Sequence, residues 1–230
     1  MRLVLLLMTS ALVAGCSQTL DSESSTARTP LSVPSSSATS SASAAPGSTS
    51  RAAQPSGAIA PDAEIGEVIS RIEDGAPAVP ADFGSLTRDG VTTTLDGGIA
   101  FTTETVSCIS TPKYRDGLLA CLVHLTDPPP RPPDVFTVWK GNWVDFDGSS
   151  VDIGSQHGDP GPFVEGDGAA LADGSSLAFG DFRCRADTDA VLCVNYAQRA
   201  AVRLSADGVD GFGCLAAVEA PPGIGVRLSC

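Results

Sequence analysis

Phe182-Arg183-Cys184-Arg185-Ala186 and Val191-Leu192-Cys193-Val194-Asn195 meet across Asp187 to Ala190, and this stretch decides the fold. Setting Cys184 opposite Cys193 leaves a four-residue turn, with apolar residues around each cysteine. Two short apolar arms joined by a polar turn make a β-hairpin. Directly opposed strand residues have Cα atoms about 5.5 Å apart, a spacing that suits a disulfide. The same form stands upstream. Val106-Ser107-Cys108-Ile109-Ser110 and Leu118-Leu119-Ala120-Cys121-Leu122-Val123-His124-Leu125 flank a polar loop from Pro112 to Gly117, and pairing Cys108 with Cys121 makes a symmetric hairpin. The two hairpins read as a degenerate internal repeat, each pinned by its own disulfide.

Seven cysteines are an odd number for an exported chain, and the odd one needs a separate role. Cys16 supplies it. Met1-Arg2, an apolar run from Leu3 to Leu7 and the ending Leu12-Val13-Ala14-Gly15-Cys16 read as a secretory signal that closes in a lipobox. The run is shorter than the about 20 apolar residues of a transmembrane helix. On this reading residues 1–15 are the signal, the Cys16 sulfur is acylated, and the protein is anchored to the cell membrane on its extracytoplasmic side. Residues 16–60 hold the lipidated cysteine and a Ser/Thr/Ala/Pro tether with too few apolar residues to fold. As a coil of about 40 residues the tether would span roughly 35 Å. Residues 61–230 are then a single β-rich domain. Its six cysteines, Cys108, Cys121, Cys184, Cys193, Cys214 and Cys230, suit three disulfides in an oxidising compartment. The pairing 108–121, 184–193 and 214–230 closes a short loop each time. Zinc is the rival reading, but no two of the six stand in a C-x₂₋₄-C pair, and only His124 and His157 could assist. No cofactor or metal is expected.

Around the hairpins the pattern is strand and turn. Ile65, Val68, Ile69 and Ile72 form one stripe of a helix from about Asp62 to Glu73. Asp62 is its N-cap candidate, and Asp74-Gly75 and Pro77 end it. Strands are read at Val91 to Leu95, Ile99 to Thr103, Ala200 to Ser205 and Gly225 to Cys230. Asp127-Pro128-Pro129-Pro130-Arg131-Pro132-Pro133 is a stiff polyproline connector. The Gly- and Asp-rich stretch from Asp147 to Ser176 is loop. Trp139 and Trp143 either share one strand face or flank a turn at Gly141. As core they pack, and half-exposed they would stack on a sugar or lipid.

The net charge of -13 argues against nucleic acid, which needs clustered Lys and Arg. No nucleophile elbow, Walker loop or dinucleotide fingerprint is present. His157 lies in a Gly-rich loop and His124 in a strand, so neither marks a triad. Asp145-Phe146-Asp147-Gly148 with Asp152 fails the EF-hand spacing and reads as an Asp-Gly turn.

Four stretches carry a resemblance: Trp143-Val144-Asp145-Phe146-Asp147-Gly148, Asp159-Pro160-Gly161-Pro162-Phe163, Phe179-Gly180-Asp181-Phe182-Arg183-Cys184-Arg185-Ala186-Asp187 and Cys193-Val194-Asn195-Tyr196-Ala197. With them the region from about Asp62 to Cys230 resembles a mycobacterial and nocardial cell-envelope lipoprotein family of the LppI type. The resemblance implies compartment and architecture and no mechanism.

The expected fold is mainly β: antiparallel hairpins in a disulfide-pinned sandwich or open barrel, with one N-terminal amphipathic helix across a face. The expected function is a non-catalytic binding or interaction module of the envelope. Its partners are the membrane, through Cys16, and an envelope protein, lipid or glycan, with Trp139, Trp143 and His157 as candidate ligand-surface residues. A carrier or receptor for a lipid or small envelope molecule is the alternative and needs an apolar pocket. An enzyme would need His124 or His157 beside an acid in a cleft.

Overall fold

Short alternating segments punctuated by glycine leave the chain little choice but to pair hairpin with hairpin. The computed structural model describes residues 59–157 and 160–230; the stretches read as signal peptide and tether, with Cys16, and Gly158 and Asp159 lie outside the described residues. In chain order the elements are α1 (Ile65–Glu73), β1 (Ala76–Pro77), β2 (Ser85–Arg88), β3 (Val91–Thr94), β4 (Ile99–Thr102), β5 (Val106–Ser110), β6 (Leu119–Val123), β7 (Trp139–Phe146) and β8 (Ser150–Gln156). They continue with β9 (Ala169–Ala170), β10 (Ser175–Phe179), β11 (Phe182–Asp187), β12 (Ala190–Asn195), β13 (Ala200–Ser205), β14 (Gly208–Phe212), β15 (Ala216–Val218) and β16 (Ile224–Ser229). The fold is mainly β, antiparallel and disulfide-pinned.

Two five-strand meanders carry the architecture. β4 to β8 run up and down in one sheet and β10 to β14 in another. In each, the disulfide joins the second strand to the third: Cys108 faces Cys121 across β5 and β6, and Cys184 faces Cys193 across β11 and β12. Their Cα atoms are 4.1 and 4.0 Å apart. That is closer than the spacing expected for a hydrogen-bonded pair and nearer the narrow, non-hydrogen-bonded one. Cys214 and Cys230 form the third bridge and close the β15–β16 hairpin, whose β16 extends the first sheet beside β8.

The meanders exchange their leading segments. β1 precedes the first meander yet pairs in parallel with β10, the opening strand of the second. β9 precedes the second and pairs in parallel with β4, the opening strand of the first. Both exchanged strands sit in matching sequences, Asp74-Gly75-Ala76 and Asp167-Gly168-Ala169. The glycines have the same reason to be there. A Cβ on Gly75 would come within 2.8 Å of Ser176 Cβ, and one on Gly168 within 2.2 Å of the Ala100 carbonyl carbon. The internal repeat read from the hairpins therefore extends to topology. Each half sends a helical segment and an edge strand onto the sheet of the other.

The two sheets pack face to face. Phe101, Leu119, Val144, Phe146 and Val151 from one meet Leu177, Phe182, Val191, Val202 and Leu204 from the other, and Cys108, Cys121, Cys184 and Cys193 lie in this core. Phe146 and Phe182 touch across it edge to face at 5.6 Å. α1 closes the outer face of the six-stranded sheet by burying Val68 and Ile72 on Leu192, Val194, Ala201 and Phe212. Arg71 anchors it further with two hydrogen bonds to the Asp187 carboxylate, at 3.2 and 3.1 Å.

Four readings are corrected. The turn across the Cys184–Cys193 hairpin is two residues, Thr188 and Asp189, not four, because the ladder runs on to pair Asp187 with Ala190. The helix starts at Ile65, not Asp62, because Ala63 N–H bonds to Ala60 O and closes a turn first; no side chain caps the helix. His124 follows β6 and is exposed, so it is not a strand residue. The stretch from Asp147 to Ser176 is not all loop: it contains β8, whose Val151 and Ile153 alternate into the core.

Candidate functional site

The outer face of the eight-stranded sheet is where the two halves differ most. The counterpart of α1 here is a short 3-10 turn, Gly161–Glu165, ahead of β9. A nine-residue helix buries two large side chains on its sheet, whereas this turn lays down one, Phe163. The remaining cover comes from the β2–β3 hairpin, which brings Leu86 and, just after it, Leu95 over Ala100 and Ile109. Between hairpin and turn runs a groove of about 450 Å³, lined by Leu86, Leu95, Tyr114, Pro160, Pro162 and Val164. Tyr114 and Val164 are partly exposed at its edge. Lys113 Nζ donates to Glu165 Oε1 at 2.6 Å and ties the β5–β6 loop to the turn. That bond and the charge of Glu165 raise the Lys113 pKa above its ordinary value.

Next to the groove, Trp143 touches Tyr114 and Phe163. Trp139 and Trp143 lie on one face of β7, with Gly141 inside the strand and not at a turn. Trp143 is fully buried among Leu118, Ala120 and Phe163. The His157 ring lies against it, tilted by 34° with centroids 3.8 Å apart, Phe163 meets it edge-on at 5.1 Å, and Lys140 Nζ stands 4.9 Å from its ring centre. Trp139 is half-buried. Its Nε1–H donates to Pro129 O at 3.1 Å, and the polyproline connector is thereby strapped to the sheet. Gly154 and Gly225 leave the trough for this: their Cβ positions would lie 2.7 Å from the Trp139 ring and 2.8 Å from Pro129 respectively.

Trp143 Nε1–H donates to Asp145 Oδ1 at 2.8 Å. Asp145 faces Asp152 across the ladder, and Asp152 accepts two hydrogen bonds from Arg227, both at 2.6 Å. Arg227 therefore neutralises Asp152. Burial pushes the Asp145 pKa up to about 6, against the pull of the Trp143 hydrogen bond and with further push from Asp152. Asp147 is a turn former: its carboxylate accepts from the backbone and hydroxyls of Ser149 and Ser150. Burial pushes its pKa up, but these donors outweigh it and the net shift is downward. Among the described residues no group of three or more His, Cys, Asp or Glu is placed to hold a metal.

Of the residues that the sequence singles out, Trp143 and His157 come into ring contact outside the groove lining, Trp139 lies along the same strand against Pro129, and His124 stands exposed after β6. Tyr114, Lys113 and Glu165 carry no sequence signal, since each sits in a stretch that reads as plain loop. No protein-family model, curated protein or solved structure matches the chain.

Proposed function

We propose that this chain is an exported, lipid-anchored protein of the cell envelope whose domain is a non-catalytic binding module, and that its ligand is an apolar segment of an envelope partner. The lipobox ending at Cys16 and the tether that follows support the location. The observation that carries the binding reading is the apolar groove between the β2–β3 hairpin and the Gly161–Glu165 turn. It combines an aromatic edge, prolines that lose little entropy on contact, and a charged pair at the rim, the composition of a recognition surface.

A photo-crosslinking residue in place of Tyr114, in the full anchored chain, tests this. A defined partner should be captured, and Leu95→Asp in the groove should abolish the capture. Capture that survives Leu95→Asp, or none at all, overturns the reading. The same volume favours one alternative, a carrier for a small apolar envelope molecule. A Cys16→Ser chain, secreted and weighed intact under native conditions, separates the two. A reproducible added mass displaced by Leu95→Asp supports the carrier, and a bare mass supports the interaction module.

A further inference from the structure

The outer face of the six-stranded sheet holds a second concavity, of about 280 Å³, at the C-terminal end of α1. Arg71 from α1, Arg185 from β11 and Arg203 from β13 all line it. Their side chains are 20, 10 and 16% exposed, so all three are largely buried in its lining. Arg71 and Arg185 share one carboxylate, Asp187, and Arg185 also donates to Arg71 O at 2.9 Å. Arg203 is paired with Asp210 at 3.0 Å. Three cations are thus met by two carboxylates. Arg185 Nη2 and Arg203 Nη2 hydrogen-bond to no described residue, which leaves donors for an incoming acceptor. Asp173 and Asp189, exposed, stand at the mouth, and Ile59 and Leu192 supply apolar wall.

The fold does not demand these arginines. In the other meander the same row, one residue along from the disulfide, reads Ile109, Ala120, Asp145; here it reads Arg185, Leu192, Arg203. The same hairpins form without a guanidinium at any of the three places.

We propose that this concavity binds a small zwitterion, an amino acid or short peptide. Its carboxylate takes the free guanidinium donors in the lining, and its ammonium group meets Asp173 and Asp189 at the mouth. The acidic mouth disfavours a multiply charged anion such as phosphate, which has no ammonium to offer in return. Arginine suits the carboxylate because its planar fork matches two oxygens at once.

The test is calorimetric titration of the secreted Cys16→Ser chain with L-Ala-L-Ala, its N-acetyl derivative, its methyl ester and inorganic phosphate. Saturable binding of the free dipeptide is expected, with loss of about tenfold or more on esterification, since each charged hydrogen bond is worth about that much. Acetylation should weaken binding less. Arg203→Gln should reproduce the loss seen with the ester. Asp189→Asn, at an exposed turn position, should bring the free dipeptide down to its acetylated form, with an unchanged melting curve confirming the fold. No saturable binding by any probe overturns the proposal. So does binding that both variants leave unchanged, or phosphate binding tighter than the dipeptide.

Discussion

Asp145 on β7 and Arg203 on β13 occupy the same position in the two halves of the domain. Each lies opposite the residue that precedes the second hairpin cysteine, Ala120 in one case and Leu192 in the other. Each also faces an aspartate on the next strand, Asp152 or Asp210. Arg203 balances its aspartate within the meander. Asp145 cannot, so the C-terminal strand contributes Arg227 to Asp152 instead, and Asp145 is left as a buried acid.

That arrangement makes Asp145 a liability at neutral pH. Its folded pKa, about 6, lies above the ordinary 3.8. Its contribution is therefore fully present below about pH 4 and lost as pH rises through 6. A shift of this size corresponds to about 3 kcal/mol, and partial exposure of the carboxyl lowers the working figure to about 2 kcal/mol. Asp145→Asn keeps the acceptor for Trp143 Nε1–H and cannot ionise. Urea unfolding of the variant should match the parent at pH 4 and exceed it by about 2 kcal/mol at pH 7.5. Equal stabilities at both pH values would show that the acid carries no cost.

The hairpin disulfides are the second quantity to measure. Cys108–Cys121 and Cys184–Cys193 close loops with sequence separations of 13 and 9, and their sulfurs are buried in the core between the sheets. Replacing either pair by serine should cost about 3 kcal/mol in chain entropy, with a further loss from burying two hydroxyls. Thermal unfolding of Cys184→Ser/Cys193→Ser should shift strongly downward and become insensitive to reductant at that site. A change of less than about 0.5 kcal/mol would mean that the β11–β12 ladder holds without its pin.

The hairpins were legible because their signal is local: a cysteine, its apolar neighbours and a polar turn lie within a short window. The exchange of β1 and β9 was not. A two-residue strand has no periodicity, and its partner is set by packing about a hundred residues away, Ala76 against Ser175. β8 was hidden for another reason. The inward series Val151, Ile153 continues with a polar residue, Ser155, and the outward Gly154 beside it reads as loop although it is in the strand to seat Trp139. The groove was illegible because Tyr114 and Pro160 gain meaning only when two loops meet over one sheet.

Glycines separate the two roles cleanly. Gly168→Ala would drive a Cβ into the Ala100 backbone, at 2.2 Å from its carbonyl carbon and 2.4 Å from its oxygen. Neither atom can move without parting β9 from β4, so the substitution should destabilise the domain by about 2–3 kcal/mol. Gly66→Ala, in α1 with nothing within 4 Å of the new carbon, should instead stabilise by about 0.5–1 kcal/mol. Opposite signs in parallel melts would support the exchanged-strand packing, and a neutral Gly168→Ala would remove its steric basis.

The coupling between Trp143 and Asp145 gives the sharpest test of the sheet's outer face. The indole Nε1–H lowers the Asp145 pKa, while burial raises it. Trp143→Phe deletes the donor, so the carboxyl should titrate still higher than about 6, and the decline of stability with pH should extend further toward neutrality. The lost packing adds a cost that does not vary with pH, because Trp143 is fully buried against Phe163 and Ala120. The two effects separate by following the Asp145 carboxyl carbon by NMR across the titration in both proteins. An upward displacement of that titration in Trp143→Phe, together with loss of the pH-dependent part of its stability curve when Asp145→Asn is added, establishes the hydrogen bond as the link. An unmoved titration would leave burial alone to account for the acid and would reduce Trp143 to packing.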